Sequence, residues 1–504
     1  RARAERRDAL ARVPRRVAVG VSMQSPVRGA IGEPLVLDVD SLDLEANGVA
    51  HHEGKVVFVR GALPGERVRA SVVRRKPRFD VAQATEILRE SASRVVPRCP
   101  HFGVCGGCSM QHLDATAQLA IKQRALEDQL RHIGKVRPGQ VLRAIAGPAW
   151  AYRYRARLSV RNVPKKGGVL VGFHERGSSY VADMRECHVL PPQVSQLLLP
   201  LRELVGSLSL RERLPQIEVA IAERDETSIG DPGSGAAGAR DDRLLIALVL
   251  RVLEPPTIED RGALLAFAAR HRVELWLQPK GPDSIELLCL GDGSLATGND
   301  DSQLAYRLAE FDVTMPFRPT DFTQVNHRIN EVLVSRALRL LAPREDERVA
   351  DLFCGLGNFT LPLSRLAREV VGIEGSPVLT QRAQQNAALN GLAERCSFRT
   401  ANLFELRAED WAALGRFDRL LIDPPREGAL EVAKVLAADP AKPRRIVYVS
   451  CNPATLARDL RLLCQDGLYV PVKSAIFDMF PRTAHFESAV LLRHASAPQD
   501  APTA

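Results

Sequence analysis

A cysteine and a glutamate near the end of the chain have the types and surroundings for covalent chemistry. Cys451 stands in Ser450-Cys451-Asn452-Pro453, directly after the apolar run Ile446–Val449. A thiolate is a strong nucleophile, and a cysteine at the carboxyl end of a buried strand faces the crevice in which open α/β sheets bind ligands. Glu487, in His485-Phe486-Glu487 ahead of the apolar Val490–Leu492, is the best-placed general base. Such a pair can add sulfur to an electron-poor ring carbon, and later remove a proton so that the sulfur leaves. Nearby helix N-termini or cations are expected to lower the thiol pKa from its ordinary ~8.5.

A second group of thiols lies far upstream. The chain has nine cysteines in 504 residues, and Cys99, Cys105 and Cys108 are spaced C-x5-C-x2-C, with Cys187 as a distant fourth. Such a cluster suits a metal better than disulfides in a cytosolic protein. Four thiolates can ligate a [4Fe–4S] cluster or a structural zinc, and the spacing does not separate the two. Radical chemistry would need an open iron site, commonly C-x3-C-x2-C. Here the first gap is five and a fourth thiol closes the site.

The elements that must position Cys451 and Glu487 begin near Arg348. Arg348–Phe353, Glu369–Ile373, Cys396–Arg399, Arg419–Ile422 and Arg445–Ser450 read as core strands. Helical stretches Pro377–Asn390, Leu430–Ala438 and Thr455–Cys464 alternate with them. That alternation predicts a mostly parallel, doubly wound α/β sheet. Asp351-Leu352-Phe353-Cys354-Gly355-Leu356-Gly357-Asn358-Phe359-Thr360 falls on its first strand-to-helix turn, where glycines let backbone approach a ligand. The second strand ends in Gly372-Ile373-Glu374, placing a carboxylate where a ribose would present its hydroxyls. The incomplete G-x-G-x-x-G run argues against a dinucleotide. The turn instead resembles the first motif of class I S-adenosylmethionine methyltransferases. Asn402, after the third strand, and Asp423-Pro424-Pro425-Arg426, after the fourth, fit the same scheme. Uracil carbon 5 is one target that would need both a thiol and a base, because it becomes nucleophilic only after sulfur adds to carbon 6.

Ahead of this domain, residues 31–92 read as a small β unit of the OB type. Its runs are Leu35–Val39, Lys55–Val59, Arg67–Val73 and Val81–Leu88, with turns at Asn47-Gly48 and Pro64-Gly65 and a basic cluster of Arg74, Arg75, Lys76 and Arg78. It could bind RNA or serve only as a docking module. A helix is predicted over Ala115–Ile133, ended by Gly134. The alternation in Tyr152–Asn162 puts Arg153, Arg155, Arg157 and Arg161 on one face, either to track phosphates or to guard an edge strand. Residues 223–242 are Gly-, Ser- and Asp-rich and read as a flexible insertion. Residues 1–30 form an arginine-rich tail, an RNA-touching arm or simply a solvated terminus, and 496–504 a second disordered tail. The formal charge of +9 favours a polyanionic partner. No apolar run approaches the ~18 residues of a spanning helix, and Arg1–Arg16 has no signal-peptide core, so a cytoplasmic protein is expected.

Phe322-Thr323-Gln324-Val325-Asn326, Asp351–Thr360, Asp423–Arg426, Ser450–Pro453 and His485–Glu487 together resemble the five signatures of the RNA uracil-C5 methyltransferases. The front end resembles the 23S ribosomal RNA branch of that family, RumA/RlmD, in which an OB-like TRAM barrel and an iron–sulfur site precede the methyltransferase core. The resemblance implies a TRAM domain at 31–92, a middle α+β domain at 93–320 carrying the cluster, and a Rossmann-like methyltransferase domain at 321–495. It implies Cys451 as nucleophile and Glu487 as base. It further implies Gln324, Phe353, Asn358, Glu374, Asn402 and Asp423 as S-adenosylmethionine contacts, Asn402 the softest of them. Cys99, Cys105, Cys108 and Cys187 become ligands of a [4Fe–4S] cluster. The partner is then 23S ribosomal RNA, acted on by a monomer without a membrane. The same reaction on transfer RNA, amine methylation through Asp-Pro-Pro, and a non-catalytic ribosome-assembly factor remain alternatives.

Overall fold

The computed structural model describes residues 30–224 and 243–498. The expected arginine-rich tail, the insertion beyond Arg224 and the last residues of the C-terminal tail lie outside the described residues. Two compact units make up the rest, the first ending at Arg94 and the second beginning at Val95.

In the first unit, strands β1 (Leu35–Leu42), β2 (Gly48–His52), β3 (Lys55–Arg60), β4 (Arg67–Arg75) and β5 (Phe79–Arg89) close into a barrel in the order β1-β2-β3-β5-β4. Alternate side chains, among them Leu37, Val39, Val57, Val59, Val68 and Ala82, fill it. Strand β2 was not expected. It holds its place because Gly48 has no Cβ, which would come within 2.8 Å of Val39. Arg74, Arg75 and Arg78 are exposed at the β4–β5 turn. Inside, the fully buried Glu66 carboxylate binds Arg94 and accepts from the Leu63 amide at 2.8 Å.

The second unit holds two large sheets. Strand β6 (Gln140–Val141) is followed by β7 (Arg155–Val163), β8 (Gly168–Gly172), β9 (Gln216–Glu223), β10 (Leu244–Arg251), β11 (Val273–Gln278) and β12 (Glu286–Cys289). The last six form one sheet in the order β12-β11-β10-β9-β7-β8. A two-stranded ribbon, β13 (Ala305–Leu308) and β14 (Val313–Pro316), leads on to β15 (Arg348–Leu352), β16 (Glu369–Glu374), β17 (Cys396–Thr400), β18 (Arg419–Ile422), β19 (Arg445–Ser450), β20 (Tyr469–Phe477) and β21 (Glu487–His494). These seven and β6 build the second sheet, ordered β17-β16-β15-β18-β19-β21-β20-β6. From β17 to β19 it is parallel, and β21 runs antiparallel to its neighbours. The doubly wound expectation is met.

Two expectations change. The arginine row does not lie on an edge strand, since β7 sits between β9 and β8. Its Arg155 turns inward and donates to the carbonyls of Asp321 and Pro319, so it ties down a loop rather than facing phosphate. The split at residue 320 also does not follow the packing. The helix Ala115–His132 contributes Leu126 and Leu130 to the same core as Leu456 and Tyr469, and one further core runs from Trp276 to Leu421 across both sheets. Long-range burial of this kind carries no local sequence signal. Among the described residues, no helix is long and apolar enough to cross a membrane.

Candidate active site

The carboxyl ends of β15, β16, β18 and β19 bring the motif residues to one edge of the sheet. Beyond β15 the backbone turns through left-handed conformations at Phe353 (φ 65°), Gly355 (φ 54°) and Gly357 (φ 93°). A Cβ at Gly355 would meet nothing within 4 Å, so the turn leaves open space above it. A Cβ at Gly372 would come within 2.7 Å of Phe398, which is why β16 needs a glycine there. Glu374 ends β16 and accepts hydrogen bonds from the amides of Gly355 (3.1 Å) and Ser376 (3.0 Å). Phe353 packs on Phe404 with ring centroids 5.6 Å apart.

Three carboxylates crowd this turn. Asp351 is fully buried, with one oxygen accepting from the Thr360 hydroxyl at 2.6 Å and the other unpartnered. Burial, together with Asp423 and Glu374, pushes its pKa up to about 8. Burial raises Asp423 to about 7. Carboxyls whose ionisation is held back by burial and by one another suit a ligand that brings positive charge, as a sulfonium and an ammonium group would.

The remaining motif residues are placed unequally. Gln324 is buried, in the segment after β14 that Arg155 and the Arg382–Asp321 ion pair hold. In the same segment the Thr323 hydroxyl, the Asn326 amide nitrogen and His327 Nε2 are buried without a partner. Asn358 is engaged internally. Its Oδ1 accepts from Tyr306 (2.9 Å) and Asn330 (2.9 Å), and its Nδ2 donates to Asn330 (3.0 Å). Asn402 is exposed and caps the following turn through the Phe404 amide at 3.1 Å.

Register puts Cys451 beside Glu487. Strands β19 and β21 pair Ser450 with Ser488, so one step further along the antiparallel ladder Cys451 stands across from Glu487. The Ser488 hydroxyl donates to the Ser450 carbonyl at 2.9 Å and locks that end of the ladder. Asn452 caps the helix Pro453–Leu463 and donates to the Arg426 carbonyl at 2.9 Å, stitching the cysteine loop to the Asp-Pro-Pro-Arg loop. The Cys451 thiol is pushed up to about 12, by burial first and then by Glu487 and Asp423, with Arg426 opposing. This overturns the expectation of a lowered pKa: burial and two carboxylates outweigh one cation. Burial and Asp423 likewise hold the Glu487 carboxyl well above its ordinary range, again against Arg426. Arg426, which the sequence offered only as part of a motif, is thus the cation that both groups feel. Asp423 is the carboxylate common to Asp351, Cys451 and Glu487.

Cys99, Cys105, Cys108 and Cys187 line one recess with Phe102, Phe173 and Met184. Burial, and the other thiols after it, raise Cys105 to about 11 and Cys108 to about 12. Among the described residues no three His, Cys, Asp or Glu side chains gather tightly enough to grip a single metal ion.

Sheet order and strand-end chemistry are those of the Rossmann-like methyltransferases. The profile of the tRNA (Uracil-5-)-methyltransferase family matches residues 300–495, and that of the TRAM domain residues 31–84. The 23S rRNA (uracil(1939)-C(5))-methyltransferase RlmD of Bordetella bronchiseptica is 58% identical over 455 residues, 90% of this chain and 92% of its own. RlmD of Cupriavidus pinatubonensis is 55% identical over 475 residues, 92% and 96% of the two chains. The solved tRNA (uracil-54, C5)-methyltransferase of Pyrococcus abyssi, in complex with S-adenosyl-L-homocysteine, superposes with a TM-score of 0.66. It covers 91% of this chain and 99% of its own at 23% identity, a likeness of fold. The chain belongs to the RlmD family of RNA uracil-C5 methyltransferases.

Proposed function

We propose that this protein methylates carbon 5 of a uracil in 23S ribosomal RNA through a covalent bond from Cys451 to carbon 6. The observation that supports it most is the β19–β21 register, which sets Cys451 across from Glu487 beside Asp423. S-adenosylmethionine supplies the methyl group as an electrophile. Gln324, Phe353, Glu374 and Asp423 would hold it over the open turn at Gly355. Asn402 would do so from the rim. Asn358 would act through its remaining N–H and by tying the turn to Asn330.

As the Sγ–C6 bond forms, the ring double-bond electrons move through carbon 5 toward the carbon 4 carbonyl. The thiol loses its proton in the same step. Asp423, with a pKa of about 7, can accept it. Carbon 5 then takes the methyl group. Glu487, a strong base once its own proton has passed to solvent because its pKa is raised, removes the carbon 5 proton, the double bond re-forms, the Sγ–C6 bond breaks, and the thiolate recovers the proton from Asp423. The target base must leave its stack to reach a thiol at a strand end, and it enters the crevice between the two sheets of the second unit. Exposed arginines at the β4–β5 turn of the TRAM barrel give the RNA backbone cationic contacts. The thiols of Cys99, Cys105, Cys108 and Cys187 would hold a [4Fe–4S] cluster in the recess they line.

Mapping 5-methyluridine in 23S RNA by mass spectrometry tests this. Deleting the gene removes one methyluridine, restored by the native chain and not by Cys451→Ala. An unchanged map refutes the substrate.

A further inference from the structure

The nine residues between β20 and β21, Asp478–Phe486, lead straight into Glu487. At their centre Arg482 adopts a left-handed conformation, φ 68°, which side-chain-bearing residues rarely hold without outside support. The support comes from the thiol-rich segment. The Arg482 amide donates to Gln118 Oε1 at 3.2 Å. Its carbonyl accepts from the amides of Ser109 (3.0 Å) and Met110 (2.9 Å), the two residues after Cys108. Ser109 Oγ accepts from the Ala484 amide at 3.2 Å. Gln118 is buried, and its Nε2 donates back to the carbonyls of Met110 (2.9 Å) and Leu113 (2.7 Å). One side-chain amide thus joins both segments. The Arg482 guanidinium completes the clasp by lying 4.5 Å above Trp150. Cys451 is held independently, through Ser450, Asn452 and the Arg426 carbonyl.

We propose that Gln118 and Ser109 are positioning residues for the base: they hold the loop that aims Glu487, and thereby make the elimination step depend on the arrangement of the four-thiol segment. Addition of Cys451 does not share that dependence. The inference rests on the proposed roles of Cys451 and Glu487.

Full-length Gln118→Met and Ser109→Ala proteins test it in single turnovers on a 23S RNA fragment carrying the target uracil. Denaturing gels follow the protein–RNA adduct as it forms and decays. Adduct formation should stay within about twofold of native, while decay slows about tenfold in Gln118→Met, part of the roughly 10²–10⁴ that a well-placed base contributes. Gln118→Glu keeps the acceptor for Arg482 but turns a buried carboxylate oxygen on the Met110 and Leu113 carbonyls, so it should not restore the decay rate. Hydrogen exchange at the Arg482 and Ala484 amides should quicken in Gln118→Met and Ser109→Ala respectively, whatever the activity. Equal slowing of formation and decay, or unchanged exchange, overturns the proposal. Glu487→Gln separates it from the underlying roles: that variant should stall as adduct. Release at the native rate would remove Glu487 as base, and the positioning idea with it.

Discussion

Raising the pH should accelerate the reaction of Cys451 with an aromatic disulfide tenfold per pH unit, up to at least pH 10. The thiol is pushed up to about 12 by burial, Glu487 and Asp423. At pH 8 that leaves about 10⁻⁴ of it as thiolate, against about a quarter for a thiol at the ordinary ~8.5. A more basic thiolate is the better nucleophile, which returns roughly 40-fold at a Brønsted slope near 0.45. The population effect wins, and Cys451 should react about 60-fold more slowly than a free cysteine peptide. Glu487→Gln and Asp423→Asn should each recover part of that factor. Arg426→Gln should slow the reaction further, because Arg426 opposes the shift. Burial is the largest cause, so no carboxylate variant restores it all. The assay is peptide mapping of Cys451 labelling across pH. A rate that levels off below pH 9, or a quicker reaction in Arg426→Gln, would refute the electrostatic account of the site.

Lys122 and Asp478 pair at 2.6 Å with side chains only 1% and 9% exposed. Lys122→Met should therefore cost about 3–5 kcal/mol, since it strands a buried carboxylate, and adding Asp478→Asn should return much of it. Urea denaturation midpoints decide, and a single-variant loss below about 1 kcal/mol would contradict that cost. Anaerobically purified protein should carry about four iron and four sulfide per chain, lost together in Cys108→Ser; one zinc without sulfide would contradict the cluster.

Where the chemistry sits at strand ends, the sequence was readable. Each of β15, β16, β18 and β19 is a short apolar run followed by its polar motif, and local pattern is enough to find it. Strand β2 escaped notice because Gly48–His52 is short, begins with glycine and ends with two histidines. The two-residue β6 is visible only through its pairing with β20. Arg155 looked like a surface charge because alternation reveals which face a residue is on, not what covers that face. The rise in the Cys451 pKa comes from burial first and then from Glu487 and Asp423, which stand on other strands. The clasp on Arg482 joins residues more than 360 positions apart, as the Gln118 bond illustrates. Pairings of that range have no periodicity to read.

The most direct test combines Glu487→Gln, the RNA fragment and S-adenosylmethionine, followed by nuclease digestion and mass spectrometry of the protein. A single cysteine peptide should carry a methylated uridine nucleotide, joined at Cys451, and the mass should vanish in the double variant with Cys451→Ala. Attachment to any other residue, or rapid methyluridine release without an adduct, would contradict covalent catalysis by this thiol.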